Sequence, residues 1–173
     1  HLSIRRQRQM CIRDRVMTKD MPIGGSLSLD MMYRTCGTQL NLDYDSEKDF
    51  IKKFKIINSI VPISIALFAN SSIVEKQNSG FSSYRSKVWQ ETSRGGLPEV
   101  FFDNMDFEKY ADFSINFPLL FIQNEKEYLS GSNYSFSDFM NGKINEVNNR
   151  LPTEADLTTH LSTIFTENRL KKY

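Results

Sequence analysis

Cysteine is scarce. Cys11 and Cys36 are the only two in 173 residues, and Cys36 alone lies in the body of the chain, so a disulfide framework of the secreted kind is excluded. His1 and His160 are the only histidines, and no Cys/His cluster has zinc-ligand spacing. There is no Gly-rich phosphate loop, and the glycine pairs at 24–25 and 95–96 read only as turns. No apolar run approaches the roughly 20 residues that a membrane helix needs, and no repeat or low-complexity stretch interrupts the chain. An excess of one charge is missing too: the formal net charge is +1, which argues at first sight against a nucleic-acid binder. What remains is 39% hydrophobic and 12% aromatic, the content of a globular protein long enough to bury a core.

The charge is nevertheless unevenly spread. Residues 1–15, HLSIRRQRQMCIRDR, hold five arginines and one aspartate, and the rest of the chain carries 17 basic and 20 acidic residues. Such a segment fits a targeting signal or a nucleic-acid arm, and the second defines one alternative function, a non-catalytic nucleic-acid-binding module. The string RRQRQMCIRDR also resembles translated sequencing-adapter sequence. On that reading residues 1–15 are an artefactual or disordered tail, and the folded body is 16–173. No apolar stretch of secretory type follows the arginines, so the expected location is cytoplasmic.

Within the body, Gly37–Asp43 alternates: Gln39, Asn41 and Asp43 on one side, Thr38, Leu40 and Leu42 on the other. That is the period of a half-buried strand. Its amide face either lines a polar cavity or faces solvent. If the strand stays regular through Gly37, Thr35 shares that face. Ser46 caps a helix with Asp49 as its partner, an apolar stripe of Phe50, Phe54 and Ile57, and an Asp49–Lys53 pair. Pro62 predicts a break near 59–61 and a second, buried helix over 62–69. Residues 71–80 and 93–98 read as loops, 82–89 as a helical turn or strand, 107–115 as a helix, 119–123 as a strand leading into a hairpin connection. Ser135 predicts a helix over 135–141, and Thr153 with Asp156 one over 154–164. Asn168–Tyr173 reads as a strand with Glu167 and Arg169 on one face. Cys36 reads as a small buried core residue, and His160 as packed against the sheet.

Blocks of the chain are also familiar. MPIGGSLSLDMM with RTCGTQLNLD, PISIALFANS, GFSSYRSKVW, FEKYADF, FSDFMNGK and HLSTIFTENRLKKY closely resemble, in order and spacing, the plant and alpha-proteobacterial type of glutamate–cysteine ligase, from Val16 to Tyr173. The resemblance implies an α+β, glutamine-synthetase-like carboxylate–amine ligase fold, a curved antiparallel sheet with helices on its back, of which 16–173 is a partial catalytic domain. It implies joining the glutamate γ-carboxylate to the cysteine amine through an acyl phosphate, with ATP and Mg²⁺ as cofactors and neither nucleic acid nor membrane as partner. The arginine of the family's GFxSxRSxxW motif holds glutamate, which falls on Arg85; two parallel guanidinium donors match an α-carboxylate. Trp89 is then an aromatic wall beside it. Thr35, Gln39 and Asn41 are assigned to substrate or nucleotide. Glu167 and Arg169, matching the family's PEVRLKRY, are assigned to phosphate or metal, with a cross-strand ion pair as the other account. The catalytic residues and metal ligands are not identified within the chain; acidic ligands are expected upstream of Val16. The regulatory cysteine pair of plant members falls on Gly131 and Glu146, so that switch is expected to be absent. Leu120 replaces a tyrosine thought to line the cysteine pocket, which keeps open a ligase using glutamate with a different amine.

Overall fold

The computed structural model describes residues 17–92, 94–124 and 127–171; the tail at 1–15 and the last two residues of the expected terminal strand lie outside them. Residues 17–20 are helical and lead into a 3-10 turn at Met21–Gly24; helix α1 (Ser28–Arg34) follows and ends with the Thr35 hydroxyl donating to Met31 O at 2.6 Å. Helix α2 (Glu47–Leu67) starts as the sequence predicts, with Ser46 Oγ accepting from the Asp49 N–H and Lys53 Nζ 2.5 Å from Asp49.

Two expectations fail on either side of that start. Cys36–Asp43 forms no strand: all of its side chains are exposed, Leu40 at 80% and Leu42 at 51%. The alternation is real, but no neighbouring strand among the described residues pairs with it, so the apolar side has nothing to cover it, and Cys36 is an exposed free thiol rather than a core residue. Pro62 does not break the helix. It removes one donor, yet α2 runs on to Leu67 because its first half is fixed by buried Phe50, Phe54 and Asn58, and Asn58 Nδ2 donates to Phe101 O at 2.9 Å. The segment after the proline is exposed rather than buried.

The expected loop at 71–80 contains a minimal hairpin, β1 (Ile73–Val74) and β2 (Gln77–Asn78), antiparallel. Its two turn residues, Glu75 and Lys76, sit at φ 49° and 69°, the conformation a two-residue hairpin loop demands. Neither is the Gly or Asn that would announce it. Helix α3 (Tyr84–Gln90) follows, then α4 (Phe107–Asn116), capped by Asp106 accepting from the Lys109 N–H at 2.8 Å.

The strand expected at 119–123 is β3 (Phe121–Asn124), paired antiparallel with β4 (Glu127–Ser130), with Ile122 opposite Leu129. Helix α5 (Phe136–Met140) has the Ser135–Asp138 capping box and α6 (Glu154–Leu161) the Thr153–Asp156 box. α6 stops short of Ile164, and its end tightens to an i→i+3 turn: the His160 carbonyl accepts both the Thr163 N–H at 2.9 Å and the Thr163 hydroxyl at 2.8 Å. The described part of the last segment, through Lys171, is not a strand: Asn168 Nδ2 reaches back to Asn58 Oδ1 and Arg169 Nη1 to Ile164 O. The architecture is thus mixed α and β, with helices around two small antiparallel hairpins.

Three apolar clusters hold it. One gathers Met17, Met21, Met31, Val88, Leu120 and Phe121 beneath α3. A second joins Leu119 and Ile122 to Phe136, Phe139, Ile144 and Val147. The third is aromatic, Phe50, Phe54, Phe101 and Tyr110 with Met105. Leu119 to Ile122 are all buried, a run that enters β3 at Phe121 and joins two clusters, Leu120 and Phe121 in the first and Leu119 and Ile122 in the second.

Candidate functional site

Arg85 lies in the first turn of α3, and three local features place it. Ser83 Oγ accepts from the Ser86 N–H at 3.3 Å and starts the helix. The Arg85 N–H donates to Ser71 Oγ at 3.1 Å, tying α3 to the segment that leaves α2. Its guanidinium Nε donates to Cys36 O at 3.1 Å, while Cζ sits 5.2 Å from the centroid of the Trp89 ring one turn on. That distance is within cation–π range. Of the guanidinium donors, only Nε–H is engaged by the described residues.

Glycines allow the close approaches around this helix. A Cβ on Gly37 would lie 2.8 Å from Arg85 Nη2, one on Gly95 2.9 Å from Trp89 O, and one on Gly25 1.8 Å from Glu91 O. Gly25 and Gly95 are therefore packing positions and not merely turns, a correction to the sequence reading. Beneath them, Leu120 is buried in the Met-rich cluster with Tyr84 and Trp89 packed on it. Trp89 Nε1 is buried and has no acceptor among the described residues.

The segment after α6 runs beside residues 94–96. The Phe165 N–H donates to Arg94 O at 3.2 Å and the Glu167 N–H to Gly96 O at 3.0 Å. This brings the half-buried Glu167 within electrostatic reach of Arg85. Burial pushes its carboxyl above the usual glutamate range, and the Arg85 charge opposes that shift. Arg169 diverges: it donates to Ile164 O, and its charge is felt by Tyr110. Glu167 and Arg169 thus do not share a face, since the strand that would have aligned them is absent, and they form no ion pair with each other.

Of the other predicted residues, Gln39 Nε2 donates to Asn41 Oδ1 at 2.9 Å, so these exposed amides meet each other. Thr35 is half-buried, its hydroxyl turned back on α1. His160 is buried: its Nε2 lies 2.7 Å from Ser114 O, and its ring stacks on Phe136 at 5.1 Å. Among the described residues no three His, Cys, Asp or Glu side chains converge as a metal site. The set therefore does not fit a complete Mg²⁺ site; Glu167 offers a carboxylate within electrostatic reach of Arg85.

Arg94 escaped sequence reasoning. It is 6% exposed and donates to Thr163 O at 3.0 Å, Thr163 Oγ1 at 3.1 Å and Pro118 O at 2.8 Å, with Cζ 4.8 Å from the Phe117 ring. All these partners are neutral, and burial lowers its guanidinium to about 10. It holds together the two stretches that position Glu167. An arginine in SRGG carries no signal of that role.

A profile of glutamate-cysteine ligase family 2 matches residues 3–173. The chain is 45% identical over 164 residues to a chloroplastic glutamate–cysteine ligase of Nicotiana tabacum, covering 93% of this chain and 31% of that protein. It is also 45% identical to the Medicago truncatula ligase (93% and 32%) and 44% identical to ligase A of Oryza sativa subsp. japonica (93% and 33%). The chain spans about a third of the length of these relatives.

Proposed function

The chain belongs to glutamate-cysteine ligase family 2, and from that premise we propose that residues 16–173 form one wall of the active site of an ATP-dependent ligase joining the glutamate γ-carboxylate to the amine of cysteine, the first step of glutathione biosynthesis. The observation that carries the site assignment is the Arg85 fork: anchored through Nε on Cys36 O, backed by Trp89, its terminal nitrogens left for a ligand. A planar fork held in this way presents two parallel donors to the substrate α-carboxylate. Gly37 keeps the approach open, because any side chain there meets Nη2. Glu167 supplies the negative charge beside the fork, for a phosphate-bound cation; Arg169, turned to Ile164 O, takes no part in this wall. Thr35, Gln39 and Asn41 line the approach from the α1 side.

ATP activates the γ-carboxylate when bound, and Mg²⁺ neutralises its phosphates; the described residues do not make a metal site, so no step here is routed through the ion. The glutamine-synthetase-like curved sheet is proposed for the complete protein, with β3 and β4 as part of it. Leu120 gives a second reading some support. Where relatives of this type carry a pocket-lining tyrosine, it puts a buried aliphatic chain in the floor, which alters the amine subsite without touching Arg85.

The test is a graft of residues 17–171 in place of the matching third of the tobacco ligase. Arg85→Ala should raise the KM for glutamate by ~30- to 150-fold, the loss of about 2–3 kcal/mol of charged hydrogen bonding, and leave that for ATP within a factor of about three. Equal effects on all substrates would remove Arg85 from this role. An amine panel on the unmutated graft separates the two readings: cysteine no better than alanine or 2-aminobutyrate favours the second.

A further inference from the structure

Helix α2 is anchored on one side only. Ile56, Ile60, Ile63 and Leu67 stand 47%, 47%, 58% and 74% exposed, and Phe68 at its end is 78% exposed. The spacing i, i+4, i+7, i+11 puts the first four on one helical stripe. From Ile56 to Ala69 there is no charged residue. Soluble surfaces rarely leave so continuous an apolar stripe open, and an outer helical face without a single charge has the composition of a permanently buried contact rather than of a transient one.

We propose that this stripe is an internal seam of the full-length ligase: the surface on which an apolar helix or sheet face from the two thirds of the family protein outside the matched region packs. The relatives supply ample chain for it, since the matched stretch is 31–33% of their length. The seam also leads to the candidate site. A groove of about 200 Å³ lined by Ile65, Ala66, Ala69, Phe81, Ser83 and Lys87 runs from the end of α2 to α3, and Ser71, four residues past the end of α2, accepts the Arg85 N–H. A segment seated on the stripe fixes the end of α2, and through Ser71 the start of α3. The proposal rests on family membership and not on the role given to Arg85. Its readout is stability, whereas failure of the Arg85 assignment would show in KM.

The double substitution Ile63→Gln/Leu67→Gln tests it in two settings, with Lys52→Gln on the same helix as a control. In the 173-residue chain it should leave Tm within about 2 °C and reduce light scattering, because none of the described residues covers the stripe. In the tobacco graft it should lower Tm by more than ~8 °C or abolish soluble expression, while the control does neither. A fall of more than 5 °C in the isolated chain would show the stripe already packed inside it, and a graft indifferent to the substitution would show that the remainder does not sit there. An isolated chain that is a stable dimer, cross-linked between copies through Ile63→Cys, would give the face to a second copy instead. An insoluble unsubstituted graft also counts against the seam, since a relative of 45% identity should offer a matching surface.

Discussion

The backbone N–H of Glu167 donates to Gly96 O at 3.0 Å, and through this bond the segment after α6 delivers a carboxylate to the neighbourhood of Arg85. The electrostatics of the site thus depend on a contact between residues far apart in sequence. Burial raises the Glu167 carboxyl and Arg85 counteracts it. The folded state accordingly binds this proton more tightly than the unfolded chain. Stability from this group is full below the ordinary glutamate range near about 4.3 and falls as pH rises through the raised folded value. Glu167→Gln should flatten that part of the profile and raise Tm at pH 8. A thermal melt series from pH 4 to 8 checks it, and a profile unchanged by the substitution would place the carboxylate in solvent.

His160 titrates with the opposite consequence. Burial lowers its pKa, the contact with Ser114 O raises it, and the charge of Arg94 lowers it again. The neutral ring is the folded form, so its contribution is present above the ordinary histidine value near about 6.5 and is lost as pH falls below it. Substitution by glutamine should cost stability at pH 8 and remove the added loss between pH 6.5 and 5, read by denaturant midpoints at each pH.

Gly25→Ala should be costly although the backbone there is extended and tolerates a side chain. The new methyl would meet Glu91 O at 1.8 Å, a backbone atom at the end of α3 that has no rotamer to yield. About 1–3 kcal/mol of overpacking is expected, which is roughly 3–10 °C in Tm. A neutral result would mean that the 21–25 turn shifts freely, and that it does not locate α3.

Arg94→Lys tests whether geometry or charge matters at the buried arginine. A lysine keeps the charge but cannot reach Thr163 O, Thr163 Oγ1 and Pro118 O together or stack on Phe117. The loss should be about 2–3 kcal/mol, seen as a lower Tm. In the tobacco graft the KM for glutamate should rise as well, because Glu167 is then less well placed.

What the sequence made legible was what neighbours in sequence decide. The caps at Ser46, Ser135 and Thr153 occur with the partners their spacing requires, and the strand expected at 119–123 occurs two residues later, at Phe121–Asn124, with the apolar run 119–122 buried. The alternation at 37–43 did not become a strand, because a strand is a property of a pair and no partner faces it among the described residues. Pro62 announced a stop that packing at Phe54 and Asn58 overrode. The turn at Glu75 and Lys76 had no glycine to reveal it; Arg34, 2.8 Å from Glu75, spans it from α1 instead. At the site, Arg85 and Trp89 stand one turn apart and were legible as a pair. Arg94 and the close contacts of Gly25 and Gly95 join residues distant in sequence and left no local pattern.

The cluster beneath α3 has a chemical consequence of its own. Half of its buried members are methionines, Met17, Met21 and Met31, with Met32 packed beside them. Thioethers are polarizable and unbranched, so such a floor can refit when a residue like Leu120 changes. The same sulfurs are oxidisable, and a sulfoxide there would place a polar oxygen in the cluster on which Tyr84 and Trp89 pack. Oxidation would therefore swell this floor without forming any bond. Peroxide treatment should lower Tm in step with methionine oxidation measured by mass, and Met31→Leu should blunt the drop; a Tm indifferent to oxidation of these residues would show that the floor does not sense it.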